Sequence, residues 1–174
     1  GDRTLTRATS GPLSYEIIEN DHIRFRGEEE EASFDLRLYD FFPSENWRIA
    51  DPDGEAIAKQ VGGFNHPEAS GRVEGTVRMG DRVIEIKNGL AHRDHAWGPR
   101  RHQAILNNRW VAGTVGPELS FSCMTVQQGS GDFINAAWVV RNGKVEHAQD
   151  VNPAAIVLPD GLSTIGGWTE IVLD

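Results

Sequence analysis

Short runs of alternating apolar and polar residues, cut apart by turn signals, recur along most of the chain, and this punctuation limits the fold more than any other feature. Asn142-Gly143 separates FINAAWVVR from KVEHAQD, and Asn-Gly between two extended runs is the strongest short-range hairpin signal. Gly80-Asp81 divides RVEGTVRM from RVIEIKNGLAHRDHAW, and Gly116-Pro117 divides NRWVAGTV from LSFSCMTVQQ. Near the start, Glu19-Asn20-Asp21 parts LSYEII from HIRFR. Ser33 to Tyr39 alternates cleanly: Phe34, Leu36 and Leu38 take one face, Asp35, Arg37 and Tyr39 the other, as in a half-buried strand. Nine to eleven strands in sequential hairpins are expected, with little helix. The fold class is therefore all-β, an antiparallel meander closed as a barrel or packed as a sandwich.

Two segments break the pattern. Residues 1–12 are polar, end in Gly-Pro and read as a tail or linker, leaving residues 13–174 as a single domain. Residues 41–70 carry three prolines and read as a long loop, a lid or a surface excursion. GEAIAKQV, 54–61, is its one helical stretch, and Trp47, Phe64 and His66 are its anchors.

Chemistry concentrates in AHRDHAWGPRR, residues 91–101. Which of these side chains face inward depends on strand parity, because one inserted residue turns every later side chain to the other face. If the strand ran unbroken from Ile84 and Ile86, Leu90, His92 and Asp94 would share their face. If Asn88-Gly89 forms a bulge, Arg93, His95 and Trp97 face inward instead, and Asn-Gly favours the bulge. His92 and Asp94 then stand behind as supports. Burying either ionic set without partners would cost several kcal/mol, so the partners are expected to be each other.

Composition removes several functions. The formal charge of -9 would repel a phosphate backbone, so nucleic acid is not an expected partner. No apolar run approaches the roughly 20 residues of a membrane helix, and the lone Cys123 suits a reducing compartment, giving a cytoplasmic expectation. His92-x-x-His95 is a poor metal pair, since on a strand its members point to opposite faces; no metal is expected. There is no Gly-x-Ser-x-Gly elbow and no phosphate-binding loop.

An imidazole, a carboxylate, guanidiniums and an indole at one cavity remain, a set fit for acid-base work without a cofactor. His95 is the candidate general acid or base, with Asp94 setting its tautomer. Arg93 and Arg100 could hold an anionic group, Trp97 could line an apolar pocket, and Trp110 and Phe121 lie on runs apolar enough to line a barrel.

GLAHRDHAWGPR, residues 89–100, following RVEGTVRMGDRVIEI, resembles the signature of lipocalin-like proteins related to carotenoid 1,2-hydratase, most closely a bacterial branch with an Arg-Asp-His-Ser-Trp-Gly-Pro-Arg core. Ala96 replaces that Ser here. The resemblance covers residues 13–150 and implies a lipocalin-like barrel, with His95 and Trp97 lining its lumen and isoprenoid-, sterol- or polyketide-like ligands. Because such barrels usually stand in tandem, it also implies a second lipocalin-like domain or a homodimer as partner. In the hydratases a Tyr and an Asp on a following strand complete the site; Phe121-Ser122-Cys123-Met124 stands at the corresponding place, a departure that argues against alkene hydration. Two functions follow: a barrel that binds a lipophilic small molecule, with hydration, isomerisation or cyclisation through His95 and Asp94, or a non-catalytic domain in which His92 to Arg101 is an ion-pair plug.

Overall fold

A computed structural model describes residues 6–19, 22–46, 65–98, 105–161 and 163–173. Among them every regular element is a strand, and no helix long and apolar enough to cross a membrane occurs. The first seven strands are β1 (Arg7–Ser10), β2 (Leu13–Glu19), β3 (His22–Glu28), β4 (Ala32–Asp40), β5 (Glu45–Asn46), β6 (Pro67–Met79) and β7 (Arg82–Asp94). They form one antiparallel sheet in the order β1-β2-β3-β4-β6, with β5 beside the start of β6 and β7 on its far edge. A second sheet holds β8 (Ile105–Gly116), β9 (Leu119–Gln128), β10 (Phe133–Arg141) and β11 (Lys144–His147), and β12 (Asp150–Val157) pairs with β13 (Thr164–Val172).

The expected hairpins lie where the turn signals put them. Gly80 (φ 56°) and Asn142 (φ 50°) take the left-handed conformation that tight turns need. Two boundaries differ from the sequence expectation. Arg7–Ser10 is no tail: it pairs with β2, through a turn at Gly11-Pro12. And β6 begins at Pro67, four residues before Gly71, because proline is tolerated as the first residue of a strand. The helical stretch 54–61 and the anchors Trp47 and Phe64 lie outside the described residues.

Cross-strand pairing sorts the large sheet into two faces. On one, Tyr15 is opposite Phe25, Phe25 opposite Leu36, Ile23 opposite Leu38 and Val77 opposite Ile84. On the other, the lower half is ionic, with Arg24 on Asp35 and Arg72 on Glu74, while the upper half is covered by the second sheet. There Phe42 packs with Met124, Ala136, Trp138 and Val140 in the main core. The opposite face of the second sheet packs Cys123 and Ala137 on Val151 of β12. Cys123 is buried, and burial raises its thiol, as expected of a small core residue.

Candidate functional site

The bulge is where the Asn-Gly step places it. Val73 pairs with Gly89 and Gly75 with Ile86, so two residues of β7, Lys87 and Asn88, oppose Glu74 alone, and Asn88 turns to φ 53°. A Cβ at Gly89 would stand 2.8 Å from both Ile86 and Val73, which keeps that position small. Past the bulge, Ala91, Arg93 and His95 continue the face of Ile84 and Ile86. The ladder then extends beyond β7: His95 N–H donates to Pro67 (3.1 Å), and Trp97 exchanges two backbone hydrogen bonds with Asn65.

On this face Arg93 is clamped to Asp40, its Nε donating at 2.9 Å, with both side chains almost wholly buried. Tyr15 lies edge-on to His95, centroids 5.3 Å apart, and Trp97 tilts over the same imidazole at 5.0 Å. Burial pushes the Tyr15 phenol above its ordinary value; Arg93 opposes that shift and Asp40 adds to it. Burial also lowers His95, with the Arg93 guanidinium acting in the same direction and Asp94 against it. Four polar groups thus converge at one end of an apolar lining, and Phe25, Leu36, Ile84 and Ile86 within that lining are only half-buried.

The other face of β6 and β7 carries a second network. His66 Nε2 lies 2.9 Å from Asp94 Oδ1 and 3.2 Å from Glu68 Oε1, and Glu68 is fully buried. His92 Nε2 donates to the other oxygen of Glu68 at 3.2 Å, and its Nδ1 faces the Ser70 hydroxyl at 3.0 Å. Burial would lower His66, but the carboxylates of Glu68 and Asp94 outweigh it and raise it. The imidazole of His92 stacks on Trp138 and tilts against Trp110, whose indole N–H donates to Ser122. Ser70, His92 and Glu68 resemble a hydrolytic triad, yet Ser70 is fully buried and cannot meet a substrate.

The residues singled out from the sequence therefore fall in three places. Arg93, His95 and Trp97 come together, with Trp97 half-exposed. Asp94 and His92 lie on the opposite side, where Trp110 touches His92, so the expected Asp94–His95 pairing is corrected: Asp94 binds His66, because adjacent residues on a strand point apart. Nor are the ionic groups one another's partners; Asp40, His66 and Glu68 serve instead. Phe121 and Trp110 both line a third place, an apolar cleft of about 730 Å³ between the second sheet and the β12–β13 hairpin, with Val139, Trp168 and Ile171. Its size suits a small molecule, but Arg109 is the one charged side chain among its described lining residues. Arg100 lies outside the described residues. Tyr15, Asp40 and Glu68 were not singled out from the sequence, although Asp40 follows Phe34, Leu36 and Leu38 in parity.

A curled antiparallel half-barrel with an apolar inner face, followed by further meander strands that pack on its other side, defines a lipocalin-like β fold. The chain belongs to a family described as a domain of unknown function (DUF7064), whose profile matches residues 1–174. Among solved structures it is similar to that of a Nitrosomonas europaea protein provisionally described as an AttH, with a TM-score of 0.64 and 12% identity, covering 87% of this chain and 48% of that one. The chain thus spans about half the length of that protein, and a likeness at this identity concerns the fold. No curated protein matches.

Proposed function

We propose that this protein binds a hydrophobic small molecule, isoprenoid-, sterol- or polyketide-like, along the inner face of its curled sheet. The observation that carries this is the convergence of Tyr15, His95 and the Arg93–Asp40 pair at one end of a half-buried apolar lining. Such a lining with a few placed polar groups is the usual make-up of a small-molecule site. The apolar body would lie on Phe25, Leu36, Ile84 and Ile86, and a carbonyl or hydroxyl would meet Tyr15 and His95. The finer reading is acid-base turnover without a cofactor. His95 would exchange the proton, and Asp40, acting on Arg93, takes the supporting place expected of Asp94.

Mass spectrometry of lipophiles that copurify with the protein, followed by titration of a terpenoid, sterol and polyketide panel, tests the binding. Leu36→Trp, which fills the curl, should abolish it, and Trp168→Ala, in the outer cleft, should leave it unchanged. The reverse outcome, or an empty protein that takes up no panel member, removes the reading. His95→Ala tests turnover: loss of product with retained binding and fold supports it.

A second reading, the structural plug, has its own observation: Arg93, His92 and Asp94 each have an ionic partner. On that reading His95→Ala lowers stability and no panel member binds. We propose too that a second copy or a second lipocalin-like domain covers the apolar side chains exposed on β8, such as Leu106, Val111 and Val115; light scattering at increasing concentration tests the homodimer.

A further inference from the structure

We infer that His66, Glu68 and Asp94 form a binding site for one divalent transition-metal ion, of the Zn²⁺ type, at the joined ends of β6 and β7. Their ligand atoms, one from each side chain, lie within 4.8 Å of one another. Tetrahedral zinc with nitrogen and oxygen ligands at about 2.0–2.2 Å holds its donors roughly 3.3–3.5 Å apart. The two His66 separations, 2.9 and 3.2 Å, are within a few tenths of an ångström of that spacing, so a cation could enter with small side-chain shifts.

Three further features fit a metal better than an ordinary ion pair. Two carboxylates converge on one imidazole nitrogen, which can present a single proton but can share a cation with both. The second oxygen of Glu68 is held by His92, which in turn faces Ser70, the kind of outer support that orients a ligating carboxylate. And Glu68 is fully buried, where a divalent charge would offset both carboxylates. Asp94 is about one-third exposed, leaving an entry path and room for a water to complete the coordination. With one nitrogen and two oxygens and no thiolate, the set suits Zn²⁺, Co²⁺ or Mn²⁺; a nitrogen donor argues against Mg²⁺ and Ca²⁺. The site is on the opposite face of β7 from His95 and does not rest on the proposed ligand.

The test uses the tag-free full chain after dialysis against chelator, titrated with Zn²⁺ by calorimetry and with Co²⁺ by visible absorption. One equivalent of Zn²⁺ should bind, and Co²⁺ should give the ligand-field bands of a four- or five-coordinate site. Asp94→Asn and His66→Ala should each weaken binding at least tenfold, Ser70→Ala by about tenfold through the outer support, and His147→Ala not at all. Asp94 is partly exposed, so Asp94→Asn, with circular dichroism verifying its fold, decides the matter if His66→Ala unfolds. Absence of Zn²⁺ and Co²⁺ binding, or binding undiminished in Asp94→Asn, overturns the inference.

Discussion

The ring of Tyr15 on β2 lies 5.3 Å from that of His95, just beyond β7, although three strands separate β2 from β7 in the sheet. In a flat sheet those four steps would span about 19 Å. The sheet must therefore curl with this face inside, which is how groups from distant parts of the sequence come to share one apolar trough. A consequence for Tyr15 follows from its burial, which raises the phenol. Alkaline absorbance titration should show a tyrosine ionising above the usual value near 10, and Tyr15→Phe should remove that late component. Because the folded value is the raised one, the stability linked to Tyr15 is fully present below pH 10 and lost as pH rises through the folded value. Tyr15→Phe should flatten that alkaline loss. A late-ionising phenol that survives in Tyr15→Phe would contradict the assignment.

The bulge decides which half of the motif sees that trough, and Asn88 holds it at φ 53°. Asn88→Gly should change stability by less than about 1 kcal/mol, since glycine adopts this conformation freely and only the bond from Arg72 is lost. Asn88→Val should cost about 1–2 kcal/mol or more, because a branched side chain is strained there. Urea midpoints compare the two, and equal losses would mean that the left-handed turn is not what the position demands.

Much of this arrangement can be read from alternation alone, and the failures have a common cause. Phe34, Leu36 and Leu38 run directly into Asp40, so the inward carboxylate that clamps Arg93 was written in the same period, as was Tyr15 ahead of Ile17. Parity is a local rule, however, and it does not cross a hairpin until the register is known. Trp110 pairs with Met124 and Phe121 with Gly113, and an irregularity at Thr114/Gly116 sets that register, so how the two come to line one cleft cannot be read from either run alone. Glu68, and the place of His66 beside a strand rather than as a loop anchor, are hidden for a different reason: Pro67 between them looks like a break, whereas it opens β6.

Trp138 is fully buried, stacked with His92 and edge-on to Phe42, and its indole nitrogen has no hydrogen-bond partner among the described residues. Trp138→Ala should cost about 3–5 kcal/mol through the cavity it leaves. Trp138→Phe keeps an aromatic surface and removes the unsatisfied N–H, whose burial carries a penalty of about 1–3 kcal/mol. It should therefore cost at least about 2 kcal/mol less than the alanine variant. Denaturant titration separates them; a phenylalanine variant as unstable as the alanine one would show that the indole N–H is satisfied in solution.

The Arg93–Asp40 pair is the most buried ion pair across the inner face, with side chains 9% and 2% exposed. Removing one partner leaves the other charge buried and uncompensated, so Arg93→Ala and Asp40→Ala should each destabilise by about 3–5 kcal/mol. Replacing both by apolar residues, Arg93→Met with Asp40→Leu, should recover most of that loss, since a buried pair contributes little net stability over packed hydrophobes. The double variant would nonetheless lose the polar end of the trough, so affinity for a ligand that carries a carbonyl or hydroxyl should fall while the fold survives. A double-mutant cycle in urea, run beside ligand titration, reads both quantities. Additive losses would mean that the two charges are solvated separately, and a double variant that keeps full affinity would move the ligand's polar end away from Arg93.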